Sequence, residues 1–218
     1  MRSVMMRQAE LWELRPQGSN PCRNMRRYRT APRERFLSAG ELQRLGFVLA
    51  LAEDKQAAAA IRLLLFTGAR SSEIAGLEWD RIRGSRAVLP DSKTGPKAIQ
   101  LAAPARAVLA ALPRTGPFVF PNARGDGPMR DLGPRWHRLR ALAALDGVRI
   151  HDCRHTFASH AVMTGLALYT VGRLLGHADT ASTERYAHLA DGHVRAAAGR
   201  ISGIVHGAMT GSGPEDRS

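Results

Sequence analysis

The segment KQAAAAIRLLLFT, residues 55–67, constrains this chain more than any other. It is apolar over almost its whole length, and Gly68 follows it. The pattern predicts a strongly apolar helix closed by a glycine, the residue that most readily takes the left-handed conformation of a helix stop. A helix of this kind needs a core around it. With 44 % of its 218 residues apolar, the chain can supply one. That length suits one ordinary domain, or one domain plus arms. Alanine, leucine and arginine recur throughout, which favours helix.

Further elements flank this segment. A helix is expected near 38–53, with Ser38 as its cap and Glu41 three residues on as capping-box partner. Another begins near Ser71 or Ser72 and runs to about Trp79. Residues 86–101 change period: AVLP and AIQL flank DSKTGPK, which reads as a hairpin. PARAVLAAL reads as a helix and FVFP as a brief extended piece. Helices are expected near 130–145, 152–164, 168–175 and 182–190, with Gly165 and Gly176 as stops. The closing GSGPEDRS reads as a frayed tail. There are no internal repeats. The fold class is mainly α with a small β-hairpin or sheet (α+β).

The formal net charge is +13, from 32 basic and 19 acidic residues. That balance points to a polyanionic partner, DNA or RNA by default; the competing reading is a basic but inert surface. Residues 15–35, centred on NPCRNMRRYR with Arg23, Arg26, Arg27 and Arg29, read as a basic arm kept from helix by Pro16, Pro21 and Pro32. Cys22 and Cys153 are too few for a disulfide framework, which suits a reducing cytoplasm. No apolar run approaches the ~20 residues that span a bilayer. The N-terminal stretch carries Glu10 and Glu13 and has no signal-peptide core; Met5 and Met6 are alternative starts.

Several side chains stand where chemistry is possible. Arg70, in TGARSSEI, lies between a helix stop and the next helix start. A cation there makes sense if an anion sits between it and the free N–H groups; otherwise it is a solvated arginine. In HDCRHTF, Asp152 is the expected N-cap, so Arg154 falls in the first turn with His151 just outside it. Two arginines on one phosphate would neutralise it and hold its oxygens. His151 and His155 also stand four apart, a metal-ligand spacing, although the glutamate of HExxH is absent; His155 can equally be a buried, hydrogen-bonded histidine. Cys153 and Phe157 suit the core. His177 follows a helix stop. Tyr186, in STERYAHL, has an ordinary pKa of ~10 and becomes a useful nucleophile only beside arginines and an acceptor. Lys93 sits at the hairpin tip, where a lysine is either solvated or free to donate a proton in a DNA groove.

Taken together, TGARSSEIAGLEWDRI, SKTGPKAIQL, HDCRHTFASH and LLGHADTASTERYAHL resemble, in order and in spacing, the four boxes of the tyrosine recombinase family, which includes phage integrases and Xer-type resolvases. Cys153 stands where leucine is usual. The resemblance covers roughly residues 35–195 and implies the tyrosine-recombinase catalytic-domain fold. It implies that Tyr186 attacks a DNA phosphate to give a 3′-phosphotyrosine, and that Arg70 and Arg154 clamp the non-bridging oxygens. Lys93 would be general acid for the 5′-oxygen. His151 would be the proton acceptor of the tyrosine or its orienter, and His177 a phosphate ligand. No cofactor and no metal are implied, because two arginines supply the charge that Mg²⁺ supplies elsewhere. The implied partner is double-stranded DNA, bound by a protein monomeric alone and tetrameric on paired sites. Residues 1–34 then read as a basic arm and the end of a core-binding domain, 35–195 as the catalytic domain, and 196–218 as a C-terminal segment exchanged with a neighbour. The chain would be an excised domain or a truncated gene. The other readings are a binding or regulatory remnant, a type IB topoisomerase and a zinc hydrolase.

Overall fold

The computed structural model describes residues 2–23, 25, 35–89, 96–177, 179 and 181–210. The chain divides into two compact units, Met1–Arg33 and Glu34–Ser218. In the first, helix α1 (Arg2–Leu11) is followed by a turn in which the backbone N–H of Asn20 donates to Glu10 Oε1 at 2.6 Å. Arg15 donates to the carbonyl of Ser19 at 2.8 Å. The sequence reading predicts no helix here.

The second unit is mainly helical. Helix α2 (Ala39–Leu51) begins at Ser38, whose side chain accepts from the Glu41 N–H while the Glu41 carboxylate accepts from the Ser38 N–H. Helix α3 (Lys55–Thr67) is capped by Asp54 and stops at Gly68, which has φ +64°. Both follow the expected cap chemistry. Helix α4 (Ser71–Ala75) is shorter than predicted. It ends at Gly76, and the chain then extends so that Glu78 bridges to Phe118 before a 3-10 turn over Trp79–Arg81. Strands β1 (Ile82–Arg83), β2 (Arg86–Leu89) and β3 (Lys97–Gln100) form one antiparallel sheet in the order β1-β2-β3, with Ala87 opposite Ile99. The predicted hairpin is β2–β3; the third strand is additional.

Helices α5 (Ala103–Ala110), α6 (Gly133–Leu142), α7 (Asp152–Met163) and α8 (Leu168–Leu175) fall where periodicity places them. The predicted helix over 182–190 is instead split. Helix α9 (Ala181–Glu184) ends before Arg185, Tyr186 lies in a turn, and a 3-10 helix spans Ala187–Ala190. Helix α10 (Asp191–Thr210) follows and buries none of its residues. Its interior glycines hide it from a sequence reading.

α3 is the centre of this unit and packs against α2, α4, α5, α6 and α7. Ala57, Ala58, Ala60, Ile61, Leu63 and Leu64 are all essentially inaccessible. Four successive alanines let neighbouring helices approach closely, because they present no long side chain. A smaller apolar cluster between α7 and α8 holds Ala158, Val162, Val171, Leu175 and the ring of Tyr186. The two clusters meet where α3 stops, and there Gly68 is required. A Cβ at Gly68 would lie 2.5 Å from Phe157 and 2.8 Å from Leu175.

Gly68→Ala combines a left-handed backbone with a clash, and its expected cost is about 2–4 kcal/mol. Gly84, with φ +58° and open space around it, is the control; Gly84→Ala costs only the conformational part, about 1–2 kcal/mol. Urea unfolding of both variants measures the difference. Equal losses would mean that packing does not dictate the glycine at 68.

Candidate active site

Helix α7 opens with its own carboxylate folded back: the N–H of Arg149 donates to Asp152 Oδ2 at 2.7 Å. Asp152 is therefore the first helical residue and His151 the cap, one position from the sequence reading. The shift leaves Arg154 in the first turn, buried at 4 % exposure. Its guanidinium donates to the carbonyl of Gly68 at 2.7 Å and to that of Leu175 at 2.9 Å. These carbonyls belong to the C-terminal ends of α3 and α8, where the macrodipole is negative. Burial, and then the neighbouring Arg70, bring the Arg154 pKa down to about 10, with Glu73 and Tyr186 acting the other way. Arg154 is thus still a cation at neutral pH.

Arg70 caps α4 and is fixed by the acid one turn on. Glu73 accepts from the Arg70 backbone N–H and from its guanidinium, each at 2.8 Å. The Lys97 ammonium donates at 2.7 Å to Glu73 Oε2, the oxygen that also accepts from the Arg70 backbone N–H. Glu73 is lowered from its ordinary value: burial pushes it up, but the bonds from Lys97 and Arg70 outweigh that. Lys97 is lowered by burial, partly offset by Glu73. Its stem runs so close to the glycine stop of α8 that a Cβ at Gly176 would lie 2.6 Å from it. Lys97, Arg173 and His177 line an open groove of about 490 Å³ beside β3 and α8.

Three imidazoles complete the cluster. His177 bonds through Nδ1 to the hydroxyl of Thr183 at 2.7 Å. His155 bonds through Nδ1 to the Tyr186 hydroxyl at 2.6 Å, and the His151 ring packs edge-on against His155 with centroids 4.9 Å apart. Partial burial and then Arg154 lower His151. Burial is also the first cause for His155 and His177, each lowered to about 4. Arg154 and Arg70 repel a proton on His177, while His151, Arg185 and Arg154 repel one on His155. All three are neutral at pH 7. Tyr186 is 6 % exposed; burial raises its pKa while Arg185 and Arg154 pull it down.

The structure therefore brings Arg70, His151, Arg154, His177 and Tyr186 into one electrostatically coupled site. Lys93 lies outside the described residues. Three members escaped the sequence reading as site residues. Glu73 is the capping-box partner of Arg70, legible from its spacing. Lys97 is a charged residue on the inward face of β3, in step with buried Ile99; strict alternation marks it as anomalous. His155 was weighed as a metal ligand or a core histidine, and its partner is Tyr186. Among the described residues, no group of three or more His, Cys, Asp and Glu side chains could hold a metal ion.

Residues 35–193 match the model of the phage integrase family. The chain is 28 % identical to the integrase of Escherichia phage 186, covering 87 % of this chain and 54 % of that protein. The chain spans about a quarter to a half of the length of the curated relatives it matches. Its fold resembles the catalytic domain of bacteriophage HP1 integrase, with TM-score 0.61, 24 % identity and coverage of 75 % of this chain and 92 % of that one. It also resembles the XerH site-specific recombinase bound to difH substrate, with TM-score 0.60, 20 % identity and coverage of 70 % and 49 %.

The neutral histidines make stability depend on pH. An unfolded histidine binds its proton near pH 6.5, whereas folded His155 and His177 refuse it until about pH 4. Unfolding then takes up protons in that window, so stability falls as the pH drops from 6.5 towards 4. Each histidine adds up to one proton to the slope. His177→Asn should flatten the dependence of unfolding free energy on pH, read from urea titrations between pH 4 and 7. An unchanged slope would show that His177 titrates normally.

Proposed function

Because this chain belongs to the phage integrase family, we propose that its Glu34–Ser218 unit breaks and rejoins double-stranded DNA through a 3′-phosphotyrosine on Tyr186. The observation that carries this reading is geometric: buried Arg154 donates to the carbonyl of Gly68, two residues before the Glu73-held Arg70, and the next residue, His155, meets the Tyr186 hydroxyl. A scissile phosphate between the guanidiniums has its charge balanced without a metal. Arg154 is held by two helix ends and Arg70 by Glu73, so neither must reorganise as charge develops in the transition state. His177, fixed by Thr183, would hydrogen-bond a phosphate oxygen. His151 would accept the tyrosine proton or orient the tyrosine. Lys93 would protonate the 5′-oxygen as it leaves.

Double-stranded DNA as partner is supported by the charge of +13 and by the DNA-bound recombinase among the structural relatives. A tetramer on paired sites, built from protomers that are monomeric alone, belongs to the same proposal. The exposed Val194, Ile201, Ile204 and Val205 of α10 support the exchange of the C-terminal segment with a neighbour. Residues 1–34 remain assigned as a basic arm and the end of a core-binding domain. Among the described residues no helix is long and apolar enough to cross a membrane; a site of action on cytoplasmic or nucleoid DNA is part of the proposal. The binding-remnant reading is not favoured, since residues 35–193 match the integrase family model and the structural relatives include a recombinase bound to its substrate.

The test is a nicked duplex pool of randomised sequence, in which the cleaved fragment diffuses away and traps the covalent adduct. Tyr186→Phe should lose the adduct and keep the fold and DNA affinity. Arg70→Ala or Arg154→Ala should slow its formation by about 10²–10³-fold, as for loss of one oxyanion donor. Adduct yield should survive EDTA. An adduct with the phenylalanine variant, or one lost on chelation and restored by Mg²⁺, contradicts the reading.

A further inference from the structure

We propose that His155 is the group that takes the hydroxyl proton of Tyr186 as the tyrosine attacks DNA, with His151 orienting the His155 ring. The inference deepens the strand-transfer reading and rests on it. Its geometric basis is a direct contact: His155 Nδ1 lies 2.6 Å from the Tyr186 hydroxyl. No second hydrogen-bond partner of that hydroxyl is present among the described residues. A ring that donated from Nδ1 would leave the phenolic hydrogen without an acceptor at a buried site, which costs about 1–3 kcal/mol. The phenol therefore donates, and His155 carries its own hydrogen on Nε2.

The surroundings match the role. His155 is one turn beyond His151 on α7, and the two rings meet edge to face at 89°. The Tyr186 ring is fixed in the apolar cluster between α7 and α8, so its hydroxyl cannot wander from Nδ1. The charged and titratable neighbours of His155 are His151, Asp152 and Arg154 on α7, with Arg185 and Tyr186 from the turn. Burial, His151, Arg185 and Arg154 keep His155 neutral, and only Asp152 opposes them. A neutral ring is an acceptor in the free protein. A phosphodiester beside Arg154 would offset part of that positive field and make the ring more basic when DNA is bound.

The step balances as follows. A bond forms between Tyr186 Oη and phosphorus, and the bond from phosphorus to the 5′-oxygen breaks. The phenolic proton passes to His155 Nδ1, giving an imidazolium. The 5′-oxygen leaves with a proton from the general acid. Religation reverses each transfer.

The test has two arms, both on the full chain. In ¹⁵N NMR of histidine-labelled protein, His155 should be the Nε2–H tautomer, and its Nδ1 resonance should move in Tyr186→Phe. A hydrogen on Nδ1 would overturn the proposal without reference to DNA. In the adduct assay with the randomised nicked pool, His155→Leu and His155→Asn should both be slowed on the order of 10²-fold or more. Asparagine places an acceptor oxygen near the Nδ1 position but cannot take a proton. Both variants should lose the fall in rate that the wild type has at low pH, where the ring is already charged. Recovery by His155→Asn would mean that the ring only positions the phenol, and a wild-type rate in His155→Leu would mean that it does neither; each overturns the proposal. No adduct with the wild type would instead bring down the strand-transfer reading, and this inference with it.

Discussion

The site depends on the burial of one cation, Arg154. A guanidinium taken out of water is stable only if every face has a partner. Here the partners are two backbone carbonyls at the ends of α3 and α8. Because these carbonyls end helices, they have no intrahelical partner of their own, and each brings the negative pole of its helix to the charge. Three helices are thereby fixed with respect to one another by a single side chain. Lysine could not replace it: its compact ammonium cannot reach two divergent carbonyls in a fixed planar geometry.

That arrangement demands close backbone approach. The glycine stops of α3 and α8 lie beside the Phe157 ring and the Lys97 stem, where a Cβ has no room. Gly176 also admits the stem of Lys97, which carries charge into the site, while Gly68 admits the apolar Phe157 and Leu175. The second layer of control is Glu73, which fixes Arg70 from one side and Lys97 from the other. Its carboxylate offsets the repulsion among these two cations and Arg154. The net positive field that remains is suited to an anion and hostile to a protonated imidazole. That is why the cluster of cations and the neutral histidines occur together.

Tyr186 sits on the border between this field and an apolar pocket. Burial opposes the phenolate while the arginines favour it, and the balance leaves the hydroxyl protonated, 2.6 Å from His155 Nδ1. Such a group is a poor nucleophile until charge is added nearby. In the proposed reaction a phosphodiester would offset part of the positive field around His155 and make it a better proton acceptor, so DNA binding would favour activation of the hydroxyl.

Local rules determined much of this protein. Caps at Ser38 and Asp54, stops at Gly68 and Gly176, the apolar run of α3 and the alternation of β2 and β3 were all legible, because each depends on residues a few positions apart. Four ordered boxes likewise made Arg70, Lys93, His151, Arg154, His177 and Tyr186 legible as candidates for one site. The split of the predicted 182–190 helix was not legible. A turn at Tyr186 gains its stability from burial of the ring in the apolar cluster that includes Ala158, Val162, Val171 and Leu175, residues distant in sequence. The length of α4 was set by the bridge from Glu78 to Phe118, and the partner of Tyr186 by the packing of α7 on that turn. By itself the sequence determined which chemical groups are present and which helices carry them. Only the tertiary structure decided which imidazole meets the phenol and which acid holds two cations, because hydrogen bonds of this length depend on helix packing that no local rule encodes.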